Sequence, residues 1–127
     1  MSPNADYGCV ICPFCEILAG RAPAEIVGEW PDMIAIVPLN PVTEGHVLVI
    51  PRQHVKDAKE VPWITGNAFM RAAQLSDGPC NLITSVGVEA TQTVRHLHVH
   101  LVPRRVDDGL LLPWTALAHN DSLGAGE

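Results

Sequence analysis

Between residues 96 and 101 the chain reads His96-Leu97-His98-Val99-His100-Leu101. On an extended strand successive side chains alternate sides, so the three imidazoles share one face while Leu97, Val99 and Leu101 share the other. Two chemistries suit such a face. Neutral imidazole is the commonest metal ligand, so the histidines can build a zinc site; histidine poised near neutral pH is also a nucleophile or acid/base group, so they can carry covalent phosphoryl chemistry. The strand alone does not choose between them. Thr91-Gln92-Thr93 before it supply hydroxyl and amide donors, and Pro103-Arg104-Arg105 after it supply cations, a surrounding that suits a phosphate oxyanion. The four cysteines, Cys9, Cys12, Cys15 and Cys80, are a second source of chemistry. Nothing in the N-terminal segment resembles a secretory signal, and in a reducing compartment close cysteine spacing more often means metal than disulfide.

The elements that must position these groups follow from periodicity and punctuation. A short helix is expected over 14–19, ending at Gly20 with Pro23 just beyond. Strands are expected over 25–30, 33–37 and 46–50, the last closed by Pro51. Pro62 opens a second helix in which Ile64, Ala68, Ala72 and Leu75 recur near the helical period, up to the Asp77-Gly78-Pro79 break. Two further strands, 81–85 and 94–102, flank a turn over 87–92. Five short, consecutive strands and two helices make an α+β pattern, a five-stranded antiparallel sheet in a single domain.

With 127 residues, a self-sufficient core needs no disulfide framework. The domain is expected over 9–115, with flexible tails over 1–8 and 116–127. Eight Lys and Arg against fourteen Asp and Glu give a net charge of -6, and no basic cluster stands out. That balance argues against binding to nucleic acid or an anionic membrane, while a few local donors can still hold a phosphate. The longest apolar runs, such as Val47-Leu48-Val49-Ile50, are strand-sized, and the expected location is the cytoplasm.

The run His96-Leu97-His98-Val99-His100-Leu101-Val102 resembles the signature of the histidine triad (HIT) superfamily of nucleotide hydrolases and transferases. The likeness extends to Cys12-Pro13-Phe14-Cys15, to the segment from Gly45 through Pro51-Arg52-Gln53-His54, and to Gln92-Thr93-Val94. It implies a HIT-like fold and a set of roles. His98, the middle histidine, would be the nucleophile; His100 would bind the same phosphate or assist the leaving group; Thr93 and Gln92 would donate hydrogen bonds to the α-phosphate. Members with Cys-x-x-Cys use those thiolates and two histidines to hold a structural zinc, which falls here on Cys12, Cys15, His54 and His96, with a register through Cys9 and Cys12 also compatible. Phe14, Ile36 and Leu39 match apolar positions that sandwich the base, and Ser85 stands on the phosphate side.

The implied activity is hydrolysis of nucleoside phosphoramidates or (di)nucleoside polyphosphates through a nucleotidyl-histidine intermediate. The alternatives are a zinc-stabilised nucleotide-binding module with little catalysis, or a nucleotidyltransferase. The implied partner is a small purine nucleotide or nucleotide conjugate, and the implied assembly a homodimer paired through the helix opened by Pro62. Departures are also visible. Pro38 replaces an acidic residue that contacts ribose, Ser85 replaces Asn, the stretch from His54 to Ser85 is short, and Ala90-Thr91 replace glycines before Gln92. Cys80 is expected in the core, and His46 and His119 are read as structural or incidental.

Overall fold

The computed structural model describes residues 12–114. Cys9, His119 and the tails expected over 1–8 and 116–127 lie outside the described residues. In chain order the elements are α1 (Pro13–Leu18), β1 (Glu25–Glu29), β2 (Met33–Val37), β3 (Val47–Pro51), α2 (Pro62–Leu75), β4 (Cys80–Ile83) and β5 (Val99–Pro103). The strands form one antiparallel sheet in the order β1-β2-β3-β5-β4, which bears out the α+β expectation. Only β3 and β5 are joined across the middle without being consecutive strands, because α2 and β4 intervene in the chain.

Alternation along the strands builds two cores. Met33, Ala35, Val49 and Val99 face α2, where Ala68 and Ala72 are fully buried and small enough to let the helix lie close to the sheet. Ile34, Ile36, Leu48 and Ile50 point the other way and meet Cys12 and Phe14 at α1. This second face carries the chemistry, because Leu48 pairs with His100 in the β3–β5 register. Pro13 sits in the first turn of α1, where its missing N–H costs nothing, and the Cys12 sulfur accepts the Cys15 backbone N–H at 3.3 Å as the cap.

The strand expected over 94–102 starts only at Val99 and runs to Pro103. The reason lies in where the preceding backbone groups go. The Leu97 N–H donates to the Val55 carbonyl at 2.7 Å, and the His98 carbonyl accepts from the Thr84 hydroxyl at 2.7 Å, so neither joins a strand ladder. His96 and His98 therefore stand on a bent approach to β5, and His100 alone of the three stands within it.

Candidate functional site

The bend separates the three histidines by role. His96 is fully buried and turns its Nδ1 toward the cysteines, 3.4 Å from the Cys12 sulfur and 3.6 Å from that of Cys15. His54, a few residues past the end of β3, brings its Nδ1 to 3.2 Å from the Cys15 sulfur and 3.1 Å from His96 Nδ1. All four ligand atoms lie within 4.8 Å of one another. A tetrahedral ion with bonds of about 2.0–2.3 Å sets its ligand atoms roughly 3.3–3.8 Å apart, close to this spacing. The far nitrogen of His96, Nε2, donates to the Pro51 carbonyl at 2.9 Å, which leaves Nδ1 as the lone-pair side facing the cluster. Burial pushes the His96 imidazole down to about 4, so the neutral form that a metal requires is the resting one. The donor set and its tautomer fit a closed Cys2His2 metal site.

His98 is buried and faces the other way chemically. Its Nδ1–H donates to the His96 carbonyl at 2.8 Å, so Nε2 holds the free lone pair. Burial lowers its proton affinity, opposed by that hydrogen bond, which keeps the ring neutral near pH 7. The Phe14 ring meets His98 edge-on with centroids 5.1 Å apart, fixing the plane of the imidazole.

His100 stands 5.2 Å from His98 between ring centroids, and its tautomer is set by a residue the sequence reading put aside. The Val42 N–H donates to His46 Nδ1 at 3.0 Å, which forces the proton of His46 onto Nε2. That proton donates to His100 Nδ1 at 3.0 Å, which in turn leaves the His100 proton on its own Nε2. Burial and the neighbouring His98 and His46 push His100 down to about 4. His46 is itself buried, and the backbone that places it needs glycine: Gly45 has φ +88°, and a Cβ there would approach the Pro103 ring to 3.0 Å. His46 shares the parity of Leu48 on β3, and Leu48 lies opposite His100, so the contact follows from sheet pairing.

A cleft of about 360 Å³ opens over this pair, lined among others by Val42, His46, Ser85, Thr93, His100 and Leu111. Thr93 is exposed at its rim. Gln92 is not: it is buried, its Nε2 donates to the carbonyls of Lys56 at 2.7 Å and Val94 at 3.0 Å, and its Oε1 accepts the Gly87 N–H at 2.9 Å. Both amide protons are thus used to hold the loop, and none is left for a phosphate in this conformation. The cations after the histidines are committed as well. Arg104 grips the Asp108 carboxylate at 2.8 and 3.0 Å, and Arg105 donates to Thr43 Oγ1 and the Glu44 carbonyl. They brace the segment after β5, and Arg104, which also lines the cleft, has its guanidinium bonded to Asp108, Asn81 and the Leu110 carbonyl. Of the apolar residues expected around a base, Phe14 and Ile36 are buried in the α1 core and Leu39 is 95% exposed. Thr84 joins the site unannounced, its hydroxyl holding the His98 backbone.

A five-stranded antiparallel sheet presenting a histidine row beside a Cys2His2 cluster defines the histidine triad class, and comparison with known proteins agrees. The HIT domain family matches residues 19–107, and the chain belongs to it. It is 31% identical over 112 residues to adenosine 5′-monophosphoramidase of Saccharomyces cerevisiae, across 83% of this chain and 70% of that protein. Identity to an adenylylsulfatase of Arabidopsis thaliana is 30% over 110 residues, 78% of this chain and 55% of that one. Among solved structures, a zinc-bound histidine triad family protein from Mycobacterium smegmatis superposes with a TM-score of 0.70 at 34% identity, covering 91% of this chain and 99% of that chain.

Proposed function

We propose that this protein hydrolyses nucleoside phosphoramidates or (di)nucleoside polyphosphates at the α-phosphate, with His98 as nucleophile. The observation that carries the reading is the His98 hydrogen bond to the His96 carbonyl, which leaves Nε2 unprotonated, on a ring beside His100, which lines the cleft. In the first step a bond forms between Nε2 and the α-phosphorus while the bond from phosphorus to the leaving group breaks. The leaving group departs with the electron pair and takes its proton from solvent. Water then attacks phosphorus as the bond from phosphorus to Nε2 breaks, its electron pair returning to His98, which is neutral again; the water proton passes to solvent and nucleoside monophosphate leaves.

His100 presents Nε2–H, donated by the relay from Val42 through His46, and stabilises the negative charge that builds on the phosphate oxygens. Thr93 and Ser85, on the lining of the same cleft, add hydroxyl donors. Phe14, Ile36 and Leu39 are proposed to meet the purine base, which requires the buried Phe14 and Ile36 to be reached from the cleft side. Cys12, Cys15, His54 and His96 would hold one zinc; with four protein ligands it leaves no open position, so its contribution is to tie the N-terminal segment to the sheet. A homodimer pairing through α2 is supported by the exposure of Trp63 and Met70 on that helix and by the open edge at β4.

The test is a panel of adenosine and guanosine phosphoramidates, dinucleoside polyphosphates and nucleotide sugars, assayed with the wild type and with His98→Ala. Turnover by the wild type and its loss in the variant, with nucleotide binding retained, is the expected result. Binding without turnover by the wild type would favour the nucleotide-binding module instead, and a nucleotide product that appears only with added phosphate or sugar phosphate would favour the transferase.

A further inference from the structure

A second cleft, of about 460 Å³, is lined by Cys12, Pro13, His54, Lys56, Thr93, Val94 and Arg95. Thr93 lines both clefts, so the two meet at the residue proposed to touch the reacting phosphate. Among the described residues no acid lines it, and two of the lining residues, Lys56 and Arg95, are cations. Among the described residues, ion pairs join Arg21, Arg52, Arg71 and Arg104 to carboxylates, whereas neither Lys56 nor Arg95 takes part in one. Asp57 adjoins Lys56 in sequence but is buried, its carboxylate accepting the Lys59 backbone N–H at 2.9 Å, and the Glu60 carboxylate accepts the Lys56 backbone N–H at 2.7 Å; neither acid is part of the lining. In a chain of net charge -6, two cations that line one cleft and have no ion pair among the described residues are a local reversal of the overall charge.

We infer that this cleft is an anionic subsite that receives the phosphate-bearing leaving portion of the substrate, with Lys56 and Arg95 as its cationic ligands. The inference deepens the proposed hydrolase reading and rests on it for the direction in which the leaving group exits past Thr93. A phosphate carries two or three acceptor oxygens that an ammonium and a guanidinium satisfy together, and both side chains are exposed enough to reach a ligand without leaving a packed core. A small neutral amine offers neither charge nor acceptors to this pair. Polyphosphate substrates should therefore gain from the cleft and simple phosphoramidates should not.

Two measurements on the zinc-loaded protein test this, using Lys56→Ala, Arg95→Ala, the double variant and Lys56→Arg. In the first, inorganic pyrophosphate is titrated calorimetrically, a readout that needs no catalysis. Binding weakened about 10-fold or more in the double variant and retained in Lys56→Arg is expected; equal affinity in wild type and double variant overturns the subsite. In the second, kcat/KM is compared for diadenosine tetraphosphate and adenosine 5′-phosphoramidate. A loss of about 10-fold confined to the polyphosphate, and diminished by added salt, is expected. An equal loss on both substrates overturns the subsite, since it would mark a general effect on the active site. Turnover of neither substrate by the wild type refutes the hydrolase reading, and the pyrophosphate titration then decides the cleft by itself. Circular dichroism melts and zinc content verify that the variants keep their fold.

Discussion

At the scale of single residues, the site is a statement about which ring nitrogen carries each proton. His98 is buried and His100 half-buried beside it, yet one offers a lone pair and the other an N–H, because their Nδ1 atoms face a carbonyl in one case and the Nε2–H of His46 in the other. Removing His46 should therefore scramble the tautomer of His100 without touching His98. His46→Ala is expected to lower kcat about 10-fold, the worth of one such oriented hydrogen bond, with KM little changed; a change confined to KM would contradict the relay. The pH dependence has a definite sign. With His100 pushed down to about 4 by burial and its histidine neighbours, the acid limb of kcat should fall well below the ordinary histidine value of 6.5. For stability, the unfolded chain binds a proton at this residue near 6.5 and the folded chain only near 4. The His100 contribution is thus fully present above 6.5 and is lost as pH falls through that window toward 4, so thermal melts should drop on acidification and drop less steeply in His100→Asn.

At the scale of elements, the loop between the 3-10 turn (Val88–Ala90) and the histidines carries a visible strain. Thr91 adopts φ +70°, a left-handed conformation that a β-branched residue rarely takes, at a position where the family resemblance expects glycine. Gln92 holds the loop in place with three hydrogen bonds. Thr91→Gly should relieve the strain and stabilise the fold by about 1 kcal/mol, a rise of roughly 3 to 5 °C in Tm. An unchanged or lower Tm in that variant would mean that the loop's hydrogen bonds already compensate the conformation in full.

At the scale of the whole molecule, the Cys2His2 cluster joins parts of the chain far apart in sequence. Cys12 caps α1 and Cys15 lies in its first turn, His54 follows β3 and His96 precedes β5, so one ion would close loops of about 40 and 80 residues. Exhaustive chelation should lower Tm, Cys15→Ser should do the same, and metal analysis of protein purified without chelator should return one zinc per chain. Assembly is decided at this scale too. Among the described residues no strand pairs with the outer edge of β4, and α2 exposes Trp63 at 73%, a large aromatic surface for a monomer to leave in water. Light scattering at micromolar concentration is expected to give the mass of a dimer, and Trp63→Ser should shift it toward monomer.

Strand and helix content, the alternation that sets three histidines against three aliphatics, and the Cys-x-x-Cys pair were all legible from residue order. They depend on local periodicity and turn chemistry, which neighbouring residues determine. So was the division of the chain into five strands and two helices, with α2 matching its expected bounds of Pro62–Leu75. What the order of residues did not reveal depends on who lies beside whom. His46 is 54 positions from His100, and it touches it only because β3 pairs with β5 and not with the next strand in the chain. Likewise β5 begins only at Val99, since Leu97 and His98 give their backbone bonds to Val55 and Thr84. Gln92, Arg104 and Arg105 looked like phosphate ligands by type, but tertiary contacts supplied backbone carbonyls and a carboxylate that satisfy them first. Residue type sets which hydrogen bonds a side chain is able to make; only the packed structure decides which partners stand within reach, and a buried polar group takes those because leaving them unmade costs more than any bond to a distant ligand returns.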